Sequence, residues 1–365
     1  MHITVVGAGL SGPLLAQGLR RAGIDVLVHE RDEPDRPDQG YRIAIAPEGD
    51  LALRSCLPPS RYQRVLDTVG KRGSGWRVLD PQLRIVQETL VPTPPDEERT
   101  GRHLTVDRQT LRRILLDGLD VRYRAPFERY ELLPGDRVRA HFGDGTSVET
   151  DLLVGADGTH SRVRPQLLPD AEIVELGQTE IFGKTRLTGE ARRLAPPVAL
   201  DGFCVITGPD GRFMPLAAHE FRNGGDDYLM WVVAGPSELF PAELSTMDKS
   251  DRREHAARLV ADWHPSLAAL VRLGDPATVG STTIRTAKPV PHWETVPVTL
   301  LGDAAHTMVP QGTSAAVALR DAGLLCRRIT ERGDRPLLDS VAAYETEMLE
   351  YGFAEVARSL ASASS

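Results

Sequence analysis

Three carboxylates stand just past the ends of apolar runs. Glu30 closes IDVLVHE, Asp157 follows LLVGAD, and Asp303 follows VTLLGD. Each has glycine nearby: Gly7, Gly9 and Gly12 before the Glu30 run, Gly155 and Gly158 around Asp157, and Gly302 directly before Asp303. Carboxylates accept hydrogen bonds from hydroxyl groups, and glycine lets the backbone approach a ligand closely. In an α/β sheet such strand ends gather at one edge, where ligands bind.

The first cluster is the most informative. Gly7-Ala8-Gly9-Leu10-Ser11-Gly12 fits G-x-G-x-x-G between an apolar strand, HITVV, and a helix. Gly7 allows the tight turn, Gly9 admits a pyrophosphate and Gly12 brings helix against strand. The amides of Leu10 and Ser11 then lie at a helix N-terminus, where the dipole favours phosphate. Glu30 ends the next strand, at the distance expected for an acceptor of both ribose hydroxyls. The alternative is a structural glycine turn and a surface Glu. In the second cluster Asp157 also fits a helix cap, with Arg162 and Arg164 solvated. In the third, Asp303 also fits a cap and His306 a loop histidine. Repetition of the pattern at three strand ends favours a dinucleotide site.

The elements needed to position these residues are legible. Residues 2 to 30 read strand, turn, helix and strand, with Gly23 closing the helix. EPDRPD (33 to 38) reads as a polar loop, YRIAIA as extended and EGDLALRSC as a short helix. VPTPPDEE (91 to 98) is a proline-rich loop. HLTVDRQTLRRILLDGL reads strand, cap at Asp107, then amphipathic helix. Residues 121 to 156 are short strands with a GDG turn, and 172 to 235 are mostly strand-like. Residues 248 to 273 are helical, 278 to 287 extended, 297 to 301 a buried strand, and the rest helical. An α/β pattern is thus interrupted by a β-rich block and resumed. We expect an α/β fold: a Rossmann-like nucleotide-binding domain over 1–75, 100–170 and 285–335. A β-rich substrate domain over 76–99 and 171–284 is inserted into it, and 336–365 form a C-terminal helical segment.

Composition bounds the function. The 365 residues are 41% hydrophobic and 26% charged, as in a soluble globular protein. A net charge of -8 argues against nucleic acid or an anionic membrane as partner. Cys56, Cys204 and Cys326 have no metal-ligand spacing and read as reduced thiols, so no metal and a cytoplasmic setting are expected. The opening MHITVVGAG has no basic leader and no membrane span.

Together, G-x-G-x-x-G with Glu30, A-D-G at 156 to 158 and G-D-A-A-H at 302 to 306 resemble the FAD-dependent aromatic hydroxylases. These are the group A flavoprotein monooxygenases, with the para-hydroxybenzoate hydroxylase fold. The resemblance covers nearly the whole chain and is to compact members without a C-terminal thioredoxin-like domain. It implies FAD as cofactor and NAD(P)H as reductant. Gly7, Gly9 and Gly12 would face the pyrophosphate, Glu30 the adenosine ribose, and Arg31 the adenosine region. Arg108 matches the arginine that opens a helix and contacts FAD. Asp157 and Gly158 belong to the motif associated with FAD and NAD(P)H. Gly302 and Asp303 would hold the ribityl chain, and Arg42 would lie near the mobile flavin ring. The loop Pro310, Gly312, Thr313 and Ser314, with the helix start after it, would face the pyrimidine edge, where reduced flavin is negative. Here the chain departs from P-x-x-G-x-G-x-N: it is one residue shorter, with Ser314 at the second glycine and Ala316 where Asn is common. That stretch is closer to the salicylate hydroxylase branch.

The implied activity is insertion of one oxygen atom from O2 into an aromatic or polyketide-like small molecule, through a flavin C4a-hydroperoxide. Epoxidation of an unsaturated terpenoid or indole is the near alternative. A non-catalytic flavin-binding protein is the alternative from another class. The absence of W-x-W-x-I-P argues against a halogenase, and a purely NAD-dependent dehydrogenase leaves two motifs unexplained. His219 and Tyr228 are candidate bases, but a surface histidine and a strand tyrosine are the commoner readings of such residues, so the base is unassigned. Phe203, Phe213, Met214, Met230 and Trp231 would line an apolar pocket or form core. The substrate and the oligomeric state are not specified by the sequence.

Overall fold

The computed structural model describes residues 1–34, 40–92, 94 and 96–363. Most of the polar loop expected over 33 to 38, and part of the proline-rich loop, lie outside the described residues. A five-stranded parallel sheet forms the centre, in the order Val298–Leu300, Leu152–Gly155, His2–Val6, Asp25–His29, Val121–Arg122. Its inner strands are near-continuous apolar runs because helices and a small sheet cover both faces. Val6 pairs with both Gly155 and His29, and Gly155 pairs with Leu300. This register brings the three strand ends level, so the residues after them meet at one edge.

The helix Ser11–Arg21 follows the first strand and stops at Gly23, whose φ of 77° suits glycine. The helix Ser314–Thr330 packs on it and on Pro47–Cys56. A three-stranded antiparallel sheet, Phe127–Leu133, Arg137–Phe142 and Ser147–Thr150, lies in the same half, its hairpin turn at 143 to 145 as expected.

The β-rich block is a seven-stranded sheet, in the order Gly280–Ala287, Ile173–Arg186, Tyr228–Pro236, Phe213–His219, Gly202–Thr207, Gly75–Leu79, Ile85–Leu90. Its pairs are antiparallel except Gly202–Thr207 with Gly75–Leu79. Two short helices, Gly189–Leu194 and Pro197–Leu200, interrupt the stretch read as mostly strand. The helical stretch 248–273 is two helices, Lys249–Leu259 and Pro265–Arg272, the second starting with proline at its first position.

Side chains alternate across this sheet. Met214 and Trp231 face a core that includes the helices Lys249–Leu259 and Pro265–Arg272. Phe203, Phe213 and Met230 lie on the other face with Phe182. The five residues grouped above as one pocket are therefore split: Trp231 is fully buried and donates from Nε1 to Thr185 Oγ1 at 3.1 Å, so it is core. A two-stranded ribbon, Arg42–Ile45 with Leu104–Asp107, sits between the halves and pairs Arg42 with Asp107.

Candidate active site

The level strand ends open on one cleft of about 630 Å³. Gly7, Gly9, Glu30 and Arg31 line it at one end; Asp157 and Gly158 line its middle, with Arg108 from the facing helix. Asp303, Pro310 and Ser314 line it toward the seven-stranded sheet, which contributes Glu180, Phe182 and residues 281 to 285. Ten of the residues singled out from sequence thus share a wall. Leu10, Ser11, Gly12, Gly302, Gly312 and Thr313 support the turns behind it. Arg42 is elsewhere: it lines a second cavity of about 700 Å³ beside the ribbon, and its buried Nε has no protein partner.

The first turn is held from three sides. Gly7 has φ of 110°, and a Cβ there would lie 2.3 Å from the Ala156 carbonyl oxygen. The turns after two neighbouring strands touch at this point, so only glycine fits. Glu30 accepts from the Ala8 amide at 2.8 Å through Oε2 and from the Asp32 amide at 3.0 Å through Oε1. Arg112 Nε donates to the Ala8 carbonyl at 2.6 Å. Gly9 is different, since nothing lies within 4 Å of its missing Cβ although it lines the cleft. No side chain caps the helix Ser11–Arg21, so its first amides are left for a ligand.

Asp157 accepts from the Arg162 amide at 2.7 Å through Oδ2, while its buried Oδ1 has no protein partner. Arg164, read as solvated, is buried: it donates to the Ala304 carbonyl at 3.0 Å and the Thr159 carbonyl at 2.8 Å. It ties the second turn to the third.

In the third turn Asp303 is half-buried, and no described residue donates to its carboxylate. Burial raises its pKa, against the opposing pull of His306 and Arg108. His306 is not a loop histidine but fully buried, with Nε2 2.7 Å from Asp321 Oδ2. The same Oδ2 accepts from the Gly302 amide at 2.7 Å, and Oδ1 accepts from Tyr351 at 2.5 Å. Burial would lower the His306 pKa, but the Asp321 charge and bond bring it above its ordinary value. The helix Ser314–Thr330 carries Asp321 and has no side-chain cap at Thr313, so its uncapped start and its buried carboxylate both serve this end of the cleft.

The two candidate bases lie outside the cleft lining. His219 is fully buried, not a surface residue; burial pushes it down to about 4, so it is neutral near pH 7. Tyr228 donates to Asp107 Oδ2 at 2.9 Å, and Lys184 Nζ donates to the same oxygen at 2.7 Å. Burial, then the Asp107 charge, keeps the phenol protonated. Asp107 also caps the helix that begins with Arg108, accepting from the Thr110 amide at 2.9 Å as the sequence suggests. Burial would raise its pKa, yet the Lys184 charge and the three bonds hold it below the ordinary value.

Space at Gly9, an orphaned Asp157 oxygen, a free Asp303 carboxylate and two uncapped helix starts fit a long phosphorylated and hydroxylated ligand. The profile of a family described as an FAD-binding domain matches residues 97–357. The chain belongs to the FAD-dependent aromatic hydroxylase family. Its cofactor is FAD. This flavoprotein is 30% identical over 384 residues to the dual O-methyltransferase/FAD-dependent monooxygenase CTB3 of Cercospora beticola, covering 95% of the chain and 44% of that protein. It thus spans less than half the length of that relative. It is 28% identical over 361 residues to 6-hydroxynicotinate 3-monooxygenase of Pseudomonas fluorescens, covering 96% of the chain and 88% of the relative. Among solved structures, Klebsiella pneumoniae HpxO complexed with FAD and uric acid superposes with a TM-score of 0.81 at 25% identity, covering 98% of this chain and 87% of that one. Among the described residues no helix of the flavoprotein is long and apolar enough to cross a membrane, and no cluster suited to a metal ion is present.

Proposed function

We propose that this protein is a monooxygenase that uses FAD and NAD(P)H to place one atom of O2 on an electron-rich aromatic or polyketide-like small molecule. The observation that carries the reading is the single cleft running from the Gly7–Glu30 turn to the seven-stranded sheet. In it, Gly7, Gly9 and the first amides of Ser11–Arg21 would receive the pyrophosphate, with Leu10, Ser11 and Gly12 forming the helix base. Glu30 and Arg31 would face the adenosine half. Asp157 Oδ1 and Arg108 would meet the middle of the dinucleotide, and Asp303 the ribityl hydroxyls. The loop Pro310–Ser314 and the helix start would set amides against the ring's pyrimidine edge. Residues 1–75, 100–170 and 285–335 would thus hold the cofactor, 76–99 and 171–284 the substrate, and 336–365 would brace the third turn through Tyr351.

When bound, FAD supplies hydride acceptance from NAD(P)H and activation of oxygen. The chain's own contribution is positional. Arg112 and Asp321 fix the first and third turns to neighbouring helices, Arg164 ties the second turn to the third, and the apolar face around Phe182 and Met230 excludes water where substrate would lie. Relatives named for action on 6-hydroxynicotinate and urate support a planar aromatic substrate. Relatives that join a monooxygenase to an O-methyltransferase support a product bearing a new hydroxyl.

The deciding experiment is turnover under isotopically labelled oxygen with mass analysis of products from a panel of aromatic ligands. One labelled atom in a hydroxylated ring is the expected result. Label only in epoxides of non-aromatic alkenes replaces the reading with the epoxidase, and no label with all oxygen recovered as peroxide removes it.

A further inference from the structure

The cleft contains a buried acid that nothing above uses. Glu180 lies on the long strand Ile173–Arg186, is 5% exposed, and lines the cleft beside Phe182. No described residue bonds to its carboxylate. Its register neighbours are Ala234 on one side and Thr282 on the other, neither a cation. A buried carboxylate without a partner is costly, and sheets seldom keep one on an inward face. Three other buried acids differ: Asp107, Asp321 and Glu30 each hold two or more protein donors.

We propose that Glu180 is the hydrogen-bond acceptor for the substrate, taking a bond from an O–H or N–H on an aromatic ring and disfavouring rings that present a carboxylate there. This rests on the monooxygenase reading and names the substrate class for it: phenols, enols or lactams with a donor edge. Three features favour the assignment. Glu180 and Phe182 are two residues apart on one strand, so acceptor and ring-contacting surface face the same way. Tyr41 meets Phe182 edge-on at 5.2 Å and senses the Glu180 charge, so the acid lies in an aromatic setting. Asp303, Pro310 and Ser314 border the same cleft, so a ligand against Glu180 would be next to the ring-binding end.

The groups facing Glu180 can be enumerated. The strand Gly280–Ala287 presents Thr282 opposite it and Arg285 further along, the latter bonded to Glu175 at 2.6 Å. The strand Tyr228–Pro236 presents Ala234. Tyr41, beside Phe182, is the titratable group that senses the Glu180 charge, and Arg108, Asp157, His160, Arg162 and Asp303 line the same cleft. Burial is the cause that raises the Glu180 pKa, to about 7. The group therefore exchanges protons near neutrality, as a proton acceptor for a weakly acidic ligand must. The proton would pass from the ligand O–H or N–H to a Glu180 carboxylate oxygen, leaving the ring more electron-rich.

The test uses FAD-loaded protein and three probes with one ring system: 2-naphthol, its methyl ether and 2-naphthoate. Binding is read from perturbation of flavin absorbance. Wild type is expected to bind the naphthol at least about tenfold more tightly than either analogue, the worth of one charge-assisted bond. Its affinity for naphthol should rise as pH increases through about 7. Glu180→Gln should flatten that pH profile and reduce the discrimination to within about threefold, while Glu180→Asp should restore part of both. Full discrimination or an unchanged pH profile in Glu180→Gln overturns the proposal. So does failure of wild type to bind naphthol, or a Glu180→Gln effect on FAD retention alone, which would set the acid against the cofactor. Labelled-oxygen transfer that is indifferent to Glu180 sinks this assignment and leaves the monooxygenase reading standing; absence of oxygen transfer with any ligand sinks that reading instead.

Discussion

The parallel edge and the antiparallel face solve opposite problems. At the parallel edge, polar atoms are secured first by the protein itself: Glu30 by two amides, Asp321 by Gly302, His306 and Tyr351, and Arg164 by two carbonyls. What remains for a ligand is a small remainder of directed atoms, such as Asp157 Oδ1 and the Asp303 carboxylate. On the antiparallel face, apolar side chains dominate and one acid, Glu180, is left unsecured. A tightly held cofactor suits the first arrangement, since a rigid cradle loses little entropy on binding. A ligand that exchanges suits the second.

The comparison is broken most severely at Gly7. Gly7→Ala would drive a methyl group into the Ala156 carbonyl at 2.3 Å, in a backbone conformation that L residues avoid. We expect FAD affinity to fall by more than about a hundredfold, with loss of soluble yield. A yellow, stoichiometric Gly7→Ala protein would show that the two turns do not touch.

Next in size is the buried network. Asp321→Asn removes the charge that holds His306 and satisfies Gly302 and Tyr351. Removing one partner of a buried ion pair costs about 3 kcal/mol or more, read as a lowered unfolding midpoint. The effect on stability should exceed that of Glu180→Gln, because Glu180 has no hydrogen-bond partner among the described residues to lose. Equal losses would erase the distinction between the two regions.

A smaller effect separates the regions by pH. Burial pushes His29, at the parallel edge, and His219, near the antiparallel face, from 6.5 to about 4. Between those values the unfolded chain binds protons that the folded chain refuses. Stability from these groups is therefore complete above about 6.5 and declines as pH falls toward 4, by up to about 1.4 kcal/mol per pH unit for each histidine. Glu180 and Glu345, raised to about 7, act in the opposite sense: the folded chain keeps their protons, and stability declines as pH rises from 4.5 toward 7. His219→Phe should accordingly lose less stability than wild type between pH 6.5 and 4 in urea titrations. Parallel losses would mean His219 titrates normally.

The same contrast governs what the sequence discloses. G-x-G-x-x-G, A-D-G and G-D-A-A-H are legible because each works through contiguous residues at a strand end. The residues that join them are not. Arg112 reaches Ala8 and Arg164 reaches Ala304 across 104 and 140 residues. In the string, Arg112 is one of a pair on an amphipathic helix. Asp321 reads as an ordinary helix acid; only its place among Leu319, Ala322 and Leu325, all buried, could have drawn notice. Across the seven-stranded sheet, alternation separates Met230 from Trp231 but cannot say which face meets helices and which meets a ligand. Glu180 escapes the sequence reading for that reason, since its strand Ile173–Arg186 also carries Glu175, Gln178 and Lys184 and shows no unbroken apolar run. Resemblance sets Arg42 near the mobile ring, and the structure shows that it lines the second cavity beside the ribbon.

The measurement closest to the central claim is titration of apo-protein with FAD, comparing wild type with Asp303→Ala. The account places one FAD along the cleft with its ribityl chain at Asp303. It predicts a one-to-one yellow complex, released intact by acid, and affinity weakened about ten- to a hundredfold by the substitution. Failure of wild type to take up FAD, or identical affinity in Asp303→Ala, would contradict it.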